Sequence, residues 1–112
     1  MKILYYILKQ KGEPVVEPDL MKWAEWLQNE MAIPDRIVRI QYVGEARIST
    51  VFLGLNTDVF SKGSPVVWET MVFGGPLNGE MTRCAGSREQ AMAMHGEMIK
   101  RVQLATIGIC NE

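Results

Sequence analysis

The sequence predicts an α+β domain. Its form is a two-layer sandwich in which a mostly antiparallel sheet of about five strands carries two helices on one face, in the order β-α-β-β-β-β-α. Three observations lead there. Two stretches space apolar residues at the helical period, Leu20, Trp23, Leu27 and Met31 in one and Ala91, Met94, His95, Met98 and Val102 in the other. Around them lie short runs rich in β-branched and aromatic residues. Turn residues separate those runs closely enough for hairpins, which makes the sheet antiparallel, and two amphipathic helices need such a sheet to bury their stripes.

The first element is KILYYILK, residues 2–9, apolar on both faces and therefore expected as a central strand. GEPVVEP, broken by Pro14 and Pro18, is expected as a loop. Asp19 stands where an acidic cap belongs, and Pro34 is expected to end the helix that begins there, because proline disfavours the helical region for its predecessor. Trp23 lies on the stripe and reads as core. Trp26 lies off it, which assigns that ring to a second surface. RIVRIQYV (36–43) and RISTVFLGL (47–55) flank Gly44-Glu45-Ala46 and form a hairpin. Alternation places Arg36, Val38, Ile40 and Tyr42 on one face of the first run and Ile37, Arg39, Gln41 and Val43 on the other. A polar loop, 56–65, leads to VVWETMVFG, 66–74. GGPLNGE is a turn, EMTRCA a short strand, and Ser87 with Gln90 opens the last helix as a capping box. The methionines, eight in all, fall mostly on helix stripes and read as core. Residues 1–112 make one domain, with 105–112 expected as a tail or an added strand.

Charge narrows the functional classes. Twelve basic and 13 acidic residues leave a formal charge of -1, whereas a general nucleic-acid binder needs a basic surplus to neutralise phosphates; Arg36, Arg39 and Arg47 nevertheless cluster around one expected hairpin and leave a local basic patch open. Cys84 and Cys110 form no C-x-x-C pair and have no neighbouring histidine, so no zinc site, other metal or cofactor is implied, and reduced thiols in a cytoplasmic compartment are expected. The apolar run from Ile3 to Leu8 is too short for a signal sequence, and no run reaches the length of a membrane span.

His95 is the sole histidine, which excludes sites built on several. Its place on the stripe points it toward the sheet, either as a buried group bonded to a strand or as a polar group in a pocket. Glu69 shares a face with Val67, Met71 and Phe73, while Trp68, Thr70 and Val72 face the other way. A carboxylate there, if buried, needs Arg47, Arg83 or His95 as partner. Trp26 and Trp68 are candidates for an interface or a stacking platform. Ser49 and Thr50 read as ordinary strand residues. The Gly74-Gly75 and Asn78-Gly79 pairs read as turns rather than an anion nest, and no Walker pattern or nucleophile elbow is present.

ISTVFLGLN, WETMVFGGPLNGE and the helix around REQAMAMHGEM, together with Trp23-Ala24-Glu25-Trp26, resemble a family of small uncharacterised proteins encoded by bacteriophages and prophages. The resemblance spans nearly the whole chain. It departs at Thr57, where the family often has a histidine, and at His95-Gly96, which reverses the family's Gly-His pair. The resemblance implies phage origin and names no activity.

No combination of these residues supplies an activated nucleophile with a base and an orienting group. The leading expectation is a non-enzymatic, homo-oligomeric binding protein that interferes with a host factor, either by contacting a host protein or by sequestering a small nucleotide signal. Trp68, Glu69, Thr70 and Arg83, with His95 and Trp26, are the candidate contact residues. The alternatives are a small hydrolase or nucleotide-modifying enzyme using Glu69 and His95, which requires the two side chains to meet, and a structural or assembly protein of the phage particle.

Overall fold

A computed structural model describes residues 4–9, 12–58 and 63–108. Antiparallel pairing dominates it, as the hairpin spacing requires. Strands β3 (Ile37–Val43), β4 (Ala46–Phe52), β5 (Val66–Phe73) and β6 (Met81–Ala85) form a four-stranded sheet in sequence order. Helix α3 (Arg88–Thr106) lies across one face and buries Ala91, His95, Met98 and Val102 there. The fold is α+β.

The sheet has four strands rather than about five because the N-terminal segment pairs elsewhere. Strand β1 (Tyr6–Leu8) forms a separate two-stranded sheet with β2 (Pro14–Val16), which lies within the stretch that its prolines mark as a loop. Pro14 is tolerated because it opens the strand opposite Leu8, where its missing N–H is not required by the ladder. A bridge from Tyr5 to Leu55 and a bond from the Tyr6 N–H to the Gly54 carbonyl join this hairpin to the end of β4.

Helix α1 (Leu20–Gln28) begins where Asp19 predicts, its Oδ1 accepting from the N–H groups of Met21 and Lys22. It stops three residues before Met31, because Asn29 Oδ1 takes the Met31 N–H and draws the chain out of the helix. Met31 is therefore 82% exposed, and Leu20 is exposed too, which corrects the predicted stripe. Pro34 starts a helix rather than ending one. It occupies the first turn of the short α2 (Ile33–Arg36), where its ring costs no hydrogen bond. Trp23 donates from Nε1 to the Gly54 carbonyl and stacks on Tyr5, and Trp26 meets Phe52 edge-on.

Alternation assigns most strand residues correctly and fails at two bulges. The register shifts between Ile37 and Arg39, and Val38 packs toward the core while Ile37 pairs with Val51. It shifts again between Val66 and Trp68, so that Val67 and Trp68 are both buried. The methionines also depart from expectation. Met98 is fully buried, whereas Met21, Met31, Met81 and Met92 are exposed.

The core under α3 has two apolar clusters. Tyr6, Leu8, Phe52, Val67, Trp68 and Ala91 form one; Ala46, Ile48, Val72, Met98 and Val102 form the other. On β4, on β5 and on α3, one polar residue separates the two: Thr50, Thr70 and His95. The helix runs through Thr106, which lies within the predicted tail; residues 109–112, Cys110 among them, are outside the described residues.

The β5–β6 turn tests how tightly the sheet is closed. Gly74 and Gly79 both have positive φ, but a Cβ on Gly74 would lie 2.7 Å from the Glu45 carbonyl oxygen, whereas one on Gly79 meets nothing. Alanine at Gly79 should cost only the left-handed penalty, roughly 1–2 kcal/mol. Gly74→Ala should cost clearly more in urea denaturation, because the β3–β4 turn must also move.

Candidate functional site

The six predicted contact residues do not form one site. Trp68 and Thr70 are fully buried beneath α3, and His95 is 2% exposed beside them. Trp68 donates from Nε1 to the Gly86 carbonyl at 2.7 Å and meets Phe52 edge-on. It fills the core and offers no stacking platform. Trp26 packs on the same cluster. Glu69 and Arg83 lie on the opposite face of the sheet, where Arg83 Nε donates to Glu69 Oε2 at 2.9 Å. Of the partners the sequence offered to Glu69, Arg83 is the one that reaches it. Glu69 and His95 are thus on opposite sides of the sheet, and the geometry that an enzyme using this pair requires is not met.

His95 belongs to a buried chain of hydrogen bonds. Thr50 and Thr70 are cross-strand partners, and their hydroxyls meet at 2.5 Å. Thr50 Oγ1 lies 2.7 Å from His95 Nδ1, and His95 Nε2 lies 2.7 Å from Gln41 Oε1. Burial, and after it the positive charge of Arg39, lowers the His95 pKa from its ordinary 6.5. The neutral ring then has one arrangement that satisfies every partner. Nε2–H donates to Gln41, Nδ1 accepts from Thr50, and Thr50 accepts from Thr70. Sequence reasoning placed His95 toward the sheet but missed Gln41 and Thr50 as its partners. Their signal was the level they share on adjacent strands, visible only once the register is known.

Other groups are similarly committed. The Gly74 N–H donates to Asn78 Oδ1, so the Gly-Gly turn presents no free anion nest at that position. Gln90 accepts from the Ser87 N–H, as the capping box predicts. Burial raises the Cys84 pKa, which keeps that free cysteine a thiol near neutral pH. Among the described residues, no group of three or more His, Cys, Asp or Glu side chains could hold a metal ion. No helix of the described residues is long and apolar enough to cross a membrane.

One cavity stands apart. A hollow of about 400 Å³ is lined by Ile33, Arg36, Ile37, Val51, Phe52 and Leu53, where α2 meets the ends of β3 and β4. Its volume lies within the range of small-molecule sites. Arg36 is its one charged lining residue. Arg36 Nη2 donates to the Leu27 carbonyl at 2.8 Å, but Nε is buried with no partner. Among the described residues it is the sole buried side-chain N or O atom left so. An unmet donor on a charged group costs more than one on a neutral group. A second hollow, of about 370 Å³, is lined by Glu13, Ser87, Arg88, Glu89 and Met92. It is the poorer anion site, because it sets two carboxylates beside one arginine. The guanidinium of Arg88 is also engaged, donating to the carbonyls of Asp35 and Ile37.

Comparison with models of protein families, with curated proteins and with solved structures returns no match. The site is therefore read from its own chemistry. Sequence reasoning grouped Arg36 with Arg39 and Arg47 as a basic cluster around the hairpin but did not place it among the contact residues, since a basic residue at the mouth of a strand carries no pattern of its own.

The lowered pKa of His95 has a measurable consequence. Below pH 6.5 the unfolded chain takes up a proton that the folded chain refuses, so stability falls as pH drops from there through the folded-state value. The loss is at most about 1.4 kcal/mol per pH unit for this one group. Urea titrations of the wild type and His95→Gln over that range should differ by this pH-dependent increment, and the variant should lack it.

Proposed function

We propose that the protein is a phage-encoded, non-enzymatic binding protein that sequesters a small nucleotide signal of its bacterial host, acting in the host cytoplasm as a homo-oligomer. The observation that carries the ligand class is Arg36, the one charged residue lining an apolar cavity. Its Nε is buried without a partner, so a phosphate reaches that donor only with a shift of the side chain, after which the arginine fork suits its geometry. The aliphatic walls from Ile33, Ile37, Val51 and Leu53 suit the flat, weakly polar body of a base. Binding without turnover fits the remaining chemistry. His95 is buried with both ring nitrogens engaged, and Glu69 is paired with Arg83 on the far side of the sheet. The phage origin rests on the resemblance of the two strand motifs and the last helix.

Calorimetric titration of the purified chain with linear and cyclic nucleotides tests this reading, followed by chromatography of the recovered ligand. A nucleotide should bind and return unchanged. Arg36→Gln should weaken it by about 10-fold or more, the worth of a hydrogen bond to a charged group. Because Arg36 also bonds to the Leu27 carbonyl, Val51→Phe provides a second variant, which fills the cavity from the sheet and should abolish binding. Absence of binding to any nucleotide, unchanged affinity in both variants, or conversion of the ligand would each refute the proposal.

A further inference from the structure

The face of the sheet opposite α3 is apolar and largely exposed, and its side chains line up across the strands. Tyr42, Arg47 and Phe73 form one row. Ile40, Ser49, Met71 and Met81 form the next, and Ile37, Val51, Glu69 and Arg83 the third. Tyr42 is 71% exposed, and Ile40, Phe73 and Met81 are each 40–43% exposed. A contiguous patch of this kind marks an interaction surface.

We infer that this face is the contact between two copies of the chain, packed sheet on sheet about a two-fold axis. This identifies the interface of the homo-oligomer in the functional proposal and rests on that part of it; Ile37 and Val51 of the third row also line the cavity, so the interface is tested at Ile40 and Met81, which do not. Three observations select a second copy over another occupant. The first is size. Four strands at a spacing of about 4.8 Å and seven residues at a rise of about 3.3 Å span roughly 19 by 23 Å. That flat footprint of about 440 Å² is roughly half of the 800 Å² per partner that a standard interface buries, and the relief of the exposed Tyr42, Ile40, Phe73 and Met81 side chains adds to it.

The second is charge. Glu69 is neutralised by Arg83 at 2.9 Å, and Arg47 lies 4.5 Å over the Phe73 ring. The one carboxylate of the face is met from within, and Arg47 is left as its single net charge, in the end row against an aromatic ring. The face leaves no lone carboxylate to be buried against its copy. The third is thickness. The molecule measures 48 × 31 × 21 Å, its thin dimension that of one sheet and one helical layer. Two copies joined face to face make an α-β-β-α stack in which each sheet is covered on both sides, at the spacing of about 10 Å usual for packed sheets. A contact of this type is isologous and closes at two subunits.

Sedimentation velocity over a hundredfold range of concentration tests the interface. The wild type should be dimeric, or a higher even-numbered oligomer built from such dimers. Ile40→Glu and Met81→Glu place a charge on the outer strands of the face, where the side chains are already exposed in one chain. Each should weaken association by about 100-fold or more, since an unpaired charge is then buried twice per dimer, with circular dichroism unchanged and melting lowered only to that of the dissociated wild type. An oligomer that survives both variants overturns this interface while leaving self-association standing. A wild type that stays monomeric overturns both. Titration of the two variants with the nucleotide reads the cavity separately, so the failure of one proposal is not mistaken for that of the other.

Discussion

The hydrogen-bonded chain from Thr70 through Thr50 and His95 to Gln41 is the interaction on which the structure depends. It joins β5, β4, α3 and β3 at one level and divides the core into two apolar clusters. Its value is in specificity. A slip of one residue between β4 and β5 would turn a threonine to the open face and leave His95 Nδ1 facing an apolar neighbour. Where β5 is the strand that slips, Thr70 turns outward and Glu69 is carried beneath the helix, away from Arg83. Apolar residues alone tolerate several registers; a buried imidazole with two partners tolerates one.

That chain also separates the two surfaces of the sheet by role. The α3 face takes up the polar atoms that the sequence makes look chemical, and spends them on holding the fold together. The other face pairs Glu69 with Arg83 and keeps its apolar side chains outward. At the junction of α2 with the sheet, Arg36 bonds to the Leu27 carbonyl through Nη2 and leaves its buried Nε without an acceptor. The proposed function rests on this division, in which His95 and Glu69 are committed to partners within the fold and Arg36 is met only in part.

Much of the fold was legible in the sequence. The two hairpins, the capping box and the Asp19 cap depend on neighbours within a few residues, and local chemistry decides them. The alternation in ETMVFGG correctly put Glu69 and Thr70 on opposite faces but left open which of them packs beneath the helix. Non-local choices were less legible. The partner of β1 turned out to be a strand that Pro14 and Pro18 disguised, because proline forbids a strand interior but not its first residue. The bulges at Val38 and Val67 broke the period of two, and nothing in the side chains announces a register shift. α1 ended early because the Asn29 side chain competes for the backbone, a contest that periodicity does not see. The site fared likewise. His95 was found by its uniqueness and its partners only by register, while Arg36 was visible as one of three arginines around a hairpin and distinguished from the other two only by its place at the cavity.

His95 is a neutral structural lock, buried with both ring nitrogens hydrogen-bonded. Because the chain has a single histidine, its ring ¹⁵N resonances can be assigned without ambiguity and followed with pH by NMR. The account predicts a proton on Nε2, a bare Nδ1 at neutral pH, and a titration midpoint below 6.5. A proton on Nδ1 in the neutral ring, or a midpoint at or above 6.5, would contradict it.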